Sequence, residues 1–161
     1  IYRESDDGIL RIAGQVDLII KSGNDIYIVD HKSNKKIDKK SGFNTSTKSS
    51  SKMKYPLNNL DDSNFWHYTM QLSLYAIMAE IILDIPCVGL GLCHIGSPWV
   101  LNKYGQPLRD NEGYHVDPNG EETVKWFKIQ YLKNEAKALL KDRYYRLKAD
   151  NKTSNQQLSL F

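Results

Sequence analysis

Two apolar segments separated by a short turn constrain the fold of this chain more than any other feature. In residues 9–20 (ILRIAGQVDLII), apolar side chains alternate with polar ones, which is the pattern of a strand with one buried face. Residues 22–25 (SGND) favour a turn, and residues 26–30 (IYIVD) predict a second strand. The sequence therefore predicts an antiparallel β-hairpin near its start.

A long polar connection and a helix follow the hairpin. Residues 33–60 are rich in Ser, Lys, Asn and Gly, and a connection of this length is usually either functional or disordered. Asp61, Asp62 or Ser63 can cap a helix that we expect to run to about Leu83.

The second half of the chain predicts one more strand and one more helix. Residues 87–95 (CVGLGLCHI) indicate a buried strand, and residues 97–120 indicate a loop enclosing a short hairpin. From about Thr123 the pattern is mostly helical, with an apolar face made of Val124, Phe127, Tyr131, Ala138 and Leu139. We therefore expect an α+β fold, with a central mixed β-sheet flanked by helices.

Composition excludes several classes of protein. With 40% hydrophobic and 25% charged residues, the chain is typical of a soluble globular protein, and its 161 residues suit one domain. We expect a folded domain over residues 1–149 and a flexible tail over residues 150–161. The longest apolar run, residues 75–83, is too short to span a bilayer. Two cysteines are too few for a disulfide framework, which favours a cytoplasmic protein with no membrane partner.

Positive charge is concentrated in one segment. Residues 31–54 contain eight lysines and one acid, Asp38. Such a block attracts polyanions, of which nucleic acid is the commonest, although a solvated loop without a partner is equally compatible with the charge alone.

Asp30 and Lys32 form the pattern that is most suggestive of chemistry. Alternation places both side chains on one side of the second strand, and Asp17 on the preceding strand can reach the same side. Two carboxylates and a backbone carbonyl would supply oxygen ligands to Mg²⁺ or Mn²⁺, and a neighbouring lysine could orient or deprotonate an attacking water. This group suits phosphodiester hydrolysis, whereas an isolated Asp-x-Lys spacing is as typical of a solvated ion pair.

The surrounding residues resemble a known nuclease family. Residues 14–36 (GQVDLIIKSGNDIYIVDHKSNKK) resemble the core of the PD-(D/E)XK nuclease superfamily, in its RecB-like branch. That branch is marked by Gly-x-x-Asp on one strand, Asp-x-Lys about a dozen residues later and Gln-x-x-x-Tyr on the following helix. The matching pairs are Gly14 with Asp17, Asp30 with Lys32, and Gln71 with Tyr75.

The resemblance implies a restriction-endonuclease-like core and a role for each matching residue. Asp17 and Asp30 would bind Mg²⁺ or Mn²⁺ together with the backbone carbonyl of His31, and Lys32 would assist the attacking water. Residues 67, 71 and 75 share one helix face, and core packing is the alternative role for the tyrosine. The residues expected to contact DNA are Gln71, Tyr75, Lys35, Lys36 and Lys54.

The chain departs from the family pattern in two places. The branch usually carries another acid or histidine on a helix before the first strand, and this chain begins too late to include it. Glu4 could replace that ligand or could be an ordinary edge charge. The connection at 33–60 is longer than the minimal fold needs, and its residues 52–57 (KMKYPL) could either clamp a DNA strand or act as a flexible tether.

The last five residues carry a second resemblance. QLSLF resembles the short peptide with which bacterial replication and repair proteins bind the DNA sliding clamp. An exposed apolar tail usually indicates a partner, and the alternative is a tail that folds back onto its own core. The clamp-binding residues would be Gln157, Leu158, Leu160 and Phe161.

These resemblances imply a metal-dependent deoxyribonuclease of replication, repair or recombination in a bacterial or phage-infected cell. Exonuclease action that leaves 5′-phosphate ends is favoured over site-specific cutting, and a helicase or an upstream domain could complete the site. The alternative from another class is a non-catalytic DNA-binding or scaffold module recruited by the clamp. RNA is the least favoured substrate.

Overall fold

A four-stranded mixed sheet forms the centre of the protein. The structure is a computed structural model and describes residues 1–33, 36–44 and 49–158. Its strands are β1 (Tyr2–Glu4), β2 (Arg11–Ala13), β3 (Leu18–Ser22), β4 (Asp25–Lys32), β5 (Phe43–Asn44), β6 (Ser49–Ser50), β7 (Cys87–Gly96) and β8 (Thr123–Ile129). Its helices are α1 (Asn64–Leu83) and α2 (Lys133–Leu158).

The central sheet has the order β3–β4–β7–β8. β3 and β4 are antiparallel, β4 and β7 are parallel, and β7 and β8 are antiparallel. The hairpin and the mixed α+β sheet predicted from the sequence are therefore confirmed. β1 pairs with β2, and β5 with β6, in two small antiparallel ribbons.

The first apolar run is divided between two ribbons. Residues 9–20 do not form one strand, because the chain leaves β2 at Ala13, bends, and enters β3 at Leu18. β2 pairs with β1, whereas β3 pairs with β4. Gly14 lies in this bend, against the ring of Tyr75 on α1.

Helix α1 covers one face of the sheet. It begins after Ser63, which has extended backbone angles but makes no side-chain capping bond, and it ends at Asp84 in the left-handed region. Leu72 and Ala76 on this helix are fully buried against the sheet, where Ile28 and Leu92 are fully buried too. The small alanine side chain lets the helix lie close to the strands.

Helix α2 packs against α1 in a second apolar cluster. Leu132 and Ala136 belong to this cluster together with Met70 and Ile77 of α1, and residues 53, 57 and 60 complete it. Ser73 joins the two helices, because its hydroxyl accepts the backbone N–H of Leu132 at 3.1 Å.

The sequence-based prediction of a helix from Thr123 is wrong. Residues 123–129 form β8 and pair with β7, and α2 begins only at Lys133, so Ala138 and Leu139 are helical but Val124 and Phe127 are not. The β-branched and aromatic residues of the segment TVKWFKI suit a strand. At its other end α2 continues to Leu158, nine residues beyond Ala149, where we expected the helical pattern to end.

Glu80 connects α1 to the segments on both sides of it. Its carboxylate accepts hydrogen bonds from the Cys87 backbone at 3.1 Å, the Tyr131 hydroxyl at 3.0 Å and the Lys133 ammonium at 2.6 Å. Burial acts to raise the pKa of Glu80, but these hydrogen bonds outweigh it and hold the pKa below its usual value. Burial, followed by the bond to Glu80, raises the pKa of Tyr131.

None of the helices in the described part of the chain is long and apolar enough to cross a membrane.

Candidate active site

The hairpin register places the two predicted acidic residues opposite each other. Leu18 pairs with Val29, so that Asp17, one residue before β3, lies opposite Asp30. Opposed residues of an antiparallel pair have Cα atoms about 4.5–5.5 Å apart. The carboxylate of Asp17 accepts the backbone N–H of His31 at 2.8 Å, which attaches it to β4.

Asp30 and Lys32 form an ion pair that is largely removed from solvent. The Lys32 ammonium lies 2.5 Å from Oδ2 of Asp30, and the two side chains are 19% and 4% exposed. The contact lacks the angular geometry of a hydrogen bond, and among the described residues no other group donates to this oxygen. The Lys32 ammonium is therefore the countercharge of this buried carboxylate.

Helix α1 holds Lys32 from the other side. The Lys32 ammonium lies 3.5 Å from Oε1 of Gln71 and 4.7 Å from the centre of the Tyr68 ring. The amide nitrogen of Gln71 donates to the Tyr75 hydroxyl at 2.8 Å. Gln71 and Tyr75 are four residues apart, so they lie on the same face of the helix. Because the amide nitrogen of Gln71 binds Tyr75, its amide oxygen faces Lys32.

Gly14 explains how the bend before β3 fits against α1. A Cβ atom at this position would lie 2.3 Å from Cε1 of Tyr75, so only a glycine lets the backbone approach the ring. A continuous series of contacts, which we call the contact series, thus runs from Gly14 through Tyr75, Gln71 and Lys32 to Asp30.

Asp17 and Asp30 are the two carboxylates that the sequence predicts as metal ligands. Within residues 1–33, 36–44 and 49–158, no three side chains of His, Cys, Asp or Glu come close enough together to hold an ion. Mg²⁺ commonly takes only one or two protein carboxylates and fills its other positions with water and substrate phosphate. Asp30, whose Oδ2 contacts the Lys32 ammonium, and Asp17 would be the two carboxylates of such a site.

Glu4 makes contacts of its own on the β1–β2 ribbon. Its carboxylate accepts a hydrogen bond from the Tyr2 hydroxyl at 2.6 Å and pairs with Arg11 at 3.3 Å. The Tyr2 hydrogen bond, with Arg11 adding to it, holds the pKa of Glu4 below its usual value. The described residues include no three-carboxylate group that would join it to Asp17 and Asp30.

The predicted DNA-contacting lysines are spread over the surface. Lys36 pairs with Asp38 at 3.1 Å, and Lys54 is exposed on the segment that packs against α1. Lys35 lies outside the described residues. His31, on the opposite side of β4 from Asp30, places its ring 3.8 Å from the carboxylate of Asp17.

The predicted clamp-binding peptide lies only partly within the residues that the structure describes. Gln157 and Leu158 close helix α2, and Leu160 and Phe161 lie outside the described residues.

Two residues beside Lys32 were missed by the sequence reasoning. Tyr68 stacks on the Lys32 ammonium, and its position three residues before Gln71 on the same helix was an available signal. His94 is buried on β7 directly beside Lys32 in the parallel register, and no local pattern indicates that pairing.

No family model matches this chain, and neither a curated protein nor a solved structure does.

Proposed function

We propose that this protein is a divalent-metal-dependent DNA nuclease with Asp17, Asp30 and Lys32 at its active site. The observation that supports the proposal best is the placement of the Lys32 ammonium between Asp30 and Gln71, with Asp17 opposite Asp30 across the hairpin. A lone Asp-x-Lys pair on a surface would not be expected to have a helix residue fixing its lysine.

Each residue has a distinct role in the proposed reaction. Asp17 and Asp30 would hold Mg²⁺ or Mn²⁺, which supplies Lewis-acid activation of the phosphate and of the attacking water. Lys32 would assist the attacking water and offset the negative charge that develops on the phosphate. Gln71 is a positioning residue, because it reaches the substrate region through Lys32.

The proposed reaction is hydrolysis of one phosphodiester bond. A water oxygen forms a bond to phosphorus while the bond from phosphorus to the 3′ oxygen breaks. The water loses a proton to solvent, and the departing 3′ oxygen gains one. The products are a 3′-hydroxyl and a 5′-phosphate, as the family resemblance implies.

The lysine-rich segment and the terminal peptide extend the proposal to partners. Eight lysines in residues 31–54 favour a polyanionic substrate, and we take that substrate to be DNA degraded from its ends. Binding of Gln157, Leu158, Leu160 and Phe161 to a bacterial sliding clamp would raise the enzyme's effective concentration at DNA during replication, repair or recombination. Such an enzyme would work in the cytoplasm of a bacterial or phage-infected cell.

The experiment is degradation of end-labelled linear single- and double-stranded DNA with Mg²⁺, Mn²⁺ or EDTA. We expect metal-dependent loss of the label, reduced at least ~100-fold by Asp30→Asn and by Lys32→Met. Asp25→Asn, at the far end of β4, and Lys128→Met, an exposed lysine on β8, are the matched controls and should retain activity.

Two results would contradict the proposal. A folded protein that binds DNA but cleaves it with neither metal would leave a DNA-binding scaffold as the better description. Cleavage that survives both Asp30→Asn and Lys32→Met would place the activity elsewhere. A parallel reaction with labelled RNA shows whether deoxyribose is required.

Clamp binding is tested separately with purified bacterial sliding clamp. The full chain should be retained on immobilised clamp, and a variant with Leu160→Ala and Phe161→Ala should not. Equal retention of the two proteins would refute this part of the proposal without affecting the nuclease.

A further inference from the structure

An open cavity of about 400 Å³ lies where the segment 53–57 meets α1 and α2. His67 and Met70 of α1 are among the residues that line it. Gln71, which contacts Lys32, is one helical turn from His67 on the same face of α1. Residues at this spacing have Cβ atoms about 5–6 Å apart.

The segment that encloses the cavity is held in place by its own contacts. The backbone N–H of Met53 donates to the carbonyl of Leu60 at 3.1 Å, and the Lys52 ammonium pairs with Asp61 at 2.6 Å. Met53 and Leu57 are buried in the cluster between the helices. The tether interpretation of residues 52–57 is therefore wrong, and Lys54 and Tyr55 have defined positions.

The lining of the cavity has three chemical parts. Met53, Leu57 and Met70 provide an apolar floor. Tyr55 presents a ring that is 70% exposed and is therefore accessible to a stacking base. Asp62 and His67 form a polar pair at 2.7 Å, and Lys54 adds a cation.

We propose that this cavity receives an unpaired base of the DNA strand whose phosphate lies at Lys32. A nucleobase has flat faces that stack on tyrosine and polar edges that bind carboxylate and imidazole groups, and its own phosphate is complementary to Lys54. The volume lies within the range of ordinary small-ligand sites. This inference rests on the proposed nuclease function and narrows it, because a paired base inside a duplex cannot enter the cavity.

The consequence is a substrate preference. Single-stranded DNA and frayed duplex ends present an unstacked base at no cost, whereas an intact duplex must first be opened at a cost of a few kcal/mol. The enzyme should therefore bind and degrade single-stranded ends in preference to blunt duplex ends.

The test measures binding in EDTA, so that it does not depend on cleavage. The probe is a fluorescein-labelled single-stranded oligonucleotide, compared with an abasic strand of the same length and charge, and the readout is fluorescence anisotropy at low salt. We expect Tyr55→Ala to weaken binding of the normal strand about 5- to 150-fold, the range measured for loss of one stacked base. Binding of the abasic strand should not change.

Two control variants accompany the measurement. Tyr55→Phe keeps the ring and should bind the normal strand within about twofold of the wild type. Tyr27→Ala removes a tyrosine from the face of the sheet that α1 does not cover, next to Gly89, and should leave binding of both strands unchanged.

The outcomes separate this inference from the nuclease itself. Equal binding by Tyr55→Ala and wild type, or an equal loss on normal and abasic strands, would overturn the base site even if the protein degrades DNA. A base-dependent loss without any metal-dependent cleavage would support the base site and refute the nuclease. Failure of the wild type to bind single-stranded DNA would overturn both.

Discussion

Replacing Gly14 by alanine tests the closest contact between the hairpin and α1. The added Cβ would lie 2.3 Å from Cε1 of Tyr75, whereas ordinary contact begins near 3.4 Å. The ring edge would therefore have to move by about 1 Å. Gly14 does not have a left-handed backbone, so the effect of the substitution comes from this contact and not from φ.

The expected loss of stability comes from the displacement of the Tyr75 ring. Overfilling a packed contact typically costs about 1–3 kcal/mol. Displacement of Tyr75 also weakens its 2.8 Å hydrogen bond with Gln71, a bond worth about 1 kcal/mol. We expect Gly14→Ala to lower the free energy of unfolding by about 1–3 kcal/mol, or the melting temperature by roughly 2–12 °C.

The assay is urea unfolding followed by circular dichroism, with a double-mutant cycle. In a Tyr75→Ala background the clash is absent, so Gly14→Ala should cost less than about 0.5 kcal/mol there. Gly42→Ala is the matched control, because a Cβ at Gly42 meets no atom within 4 Å. Equal costs of Gly14→Ala in the two backgrounds would refute the assigned contact.

Three further predictions concern buried polar groups. Lys32→Met should destabilise the fold by about 3 kcal/mol, because it leaves Asp30 buried without a countercharge. Adding Asp30→Asn to this variant should recover much of the lost stability. If urea unfolding shows that the effects of the two substitutions simply add, the prediction is wrong. Because the folded pKa of Glu80 lies below its usual value of 4.5, its contribution to stability is present above that pH and is lost as the pH falls through the folded pKa. Glu80→Gln should therefore lose less stability than the wild type between about pH 6 and about pH 3, and parallel losses in urea titrations would refute the prediction. Ser73→Ala should cost about 1–3 kcal/mol by leaving the N–H of Leu132 without its acceptor, and an unchanged melting temperature would show that this bond contributes nothing.

The sequence correctly predicted those strands and helices whose contacts are mainly with residues close to them in the sequence. The β3–β4 hairpin follows from alternation and a turn, and α1 from a long run without glycine or proline. β8 was misread because Val124 and Phe127 fit a helical spacing as well as a strand. Its pairing with β7, more than 25 residues away in sequence, decides the structure, and no local pattern contains that contact.

The candidate site was predictable to a similar extent. The opposition of Asp17 and Asp30 follows from hairpin register, and the match of Gln71 and Tyr75 came only from the family resemblance. Neither route indicated that the Gly14 backbone meets the ring of Tyr75, since that contact depends on how α1 docks on the sheet. Glu4 was considered as a ligand from its sequence position alone, and its contacts are with Tyr2 and Arg11.

The contact series also sets an order of events during synthesis. Asp17, Asp30 and Lys32 leave the ribosome together, but Gln71 follows Lys32 by 39 residues. A nascent chain that ends before α1 therefore has both carboxylates and a lysine without a fixed orientation. The lysine gains its orientation only when α1 packs onto β4, so that this arrangement of side chains and the closed core form in the same step.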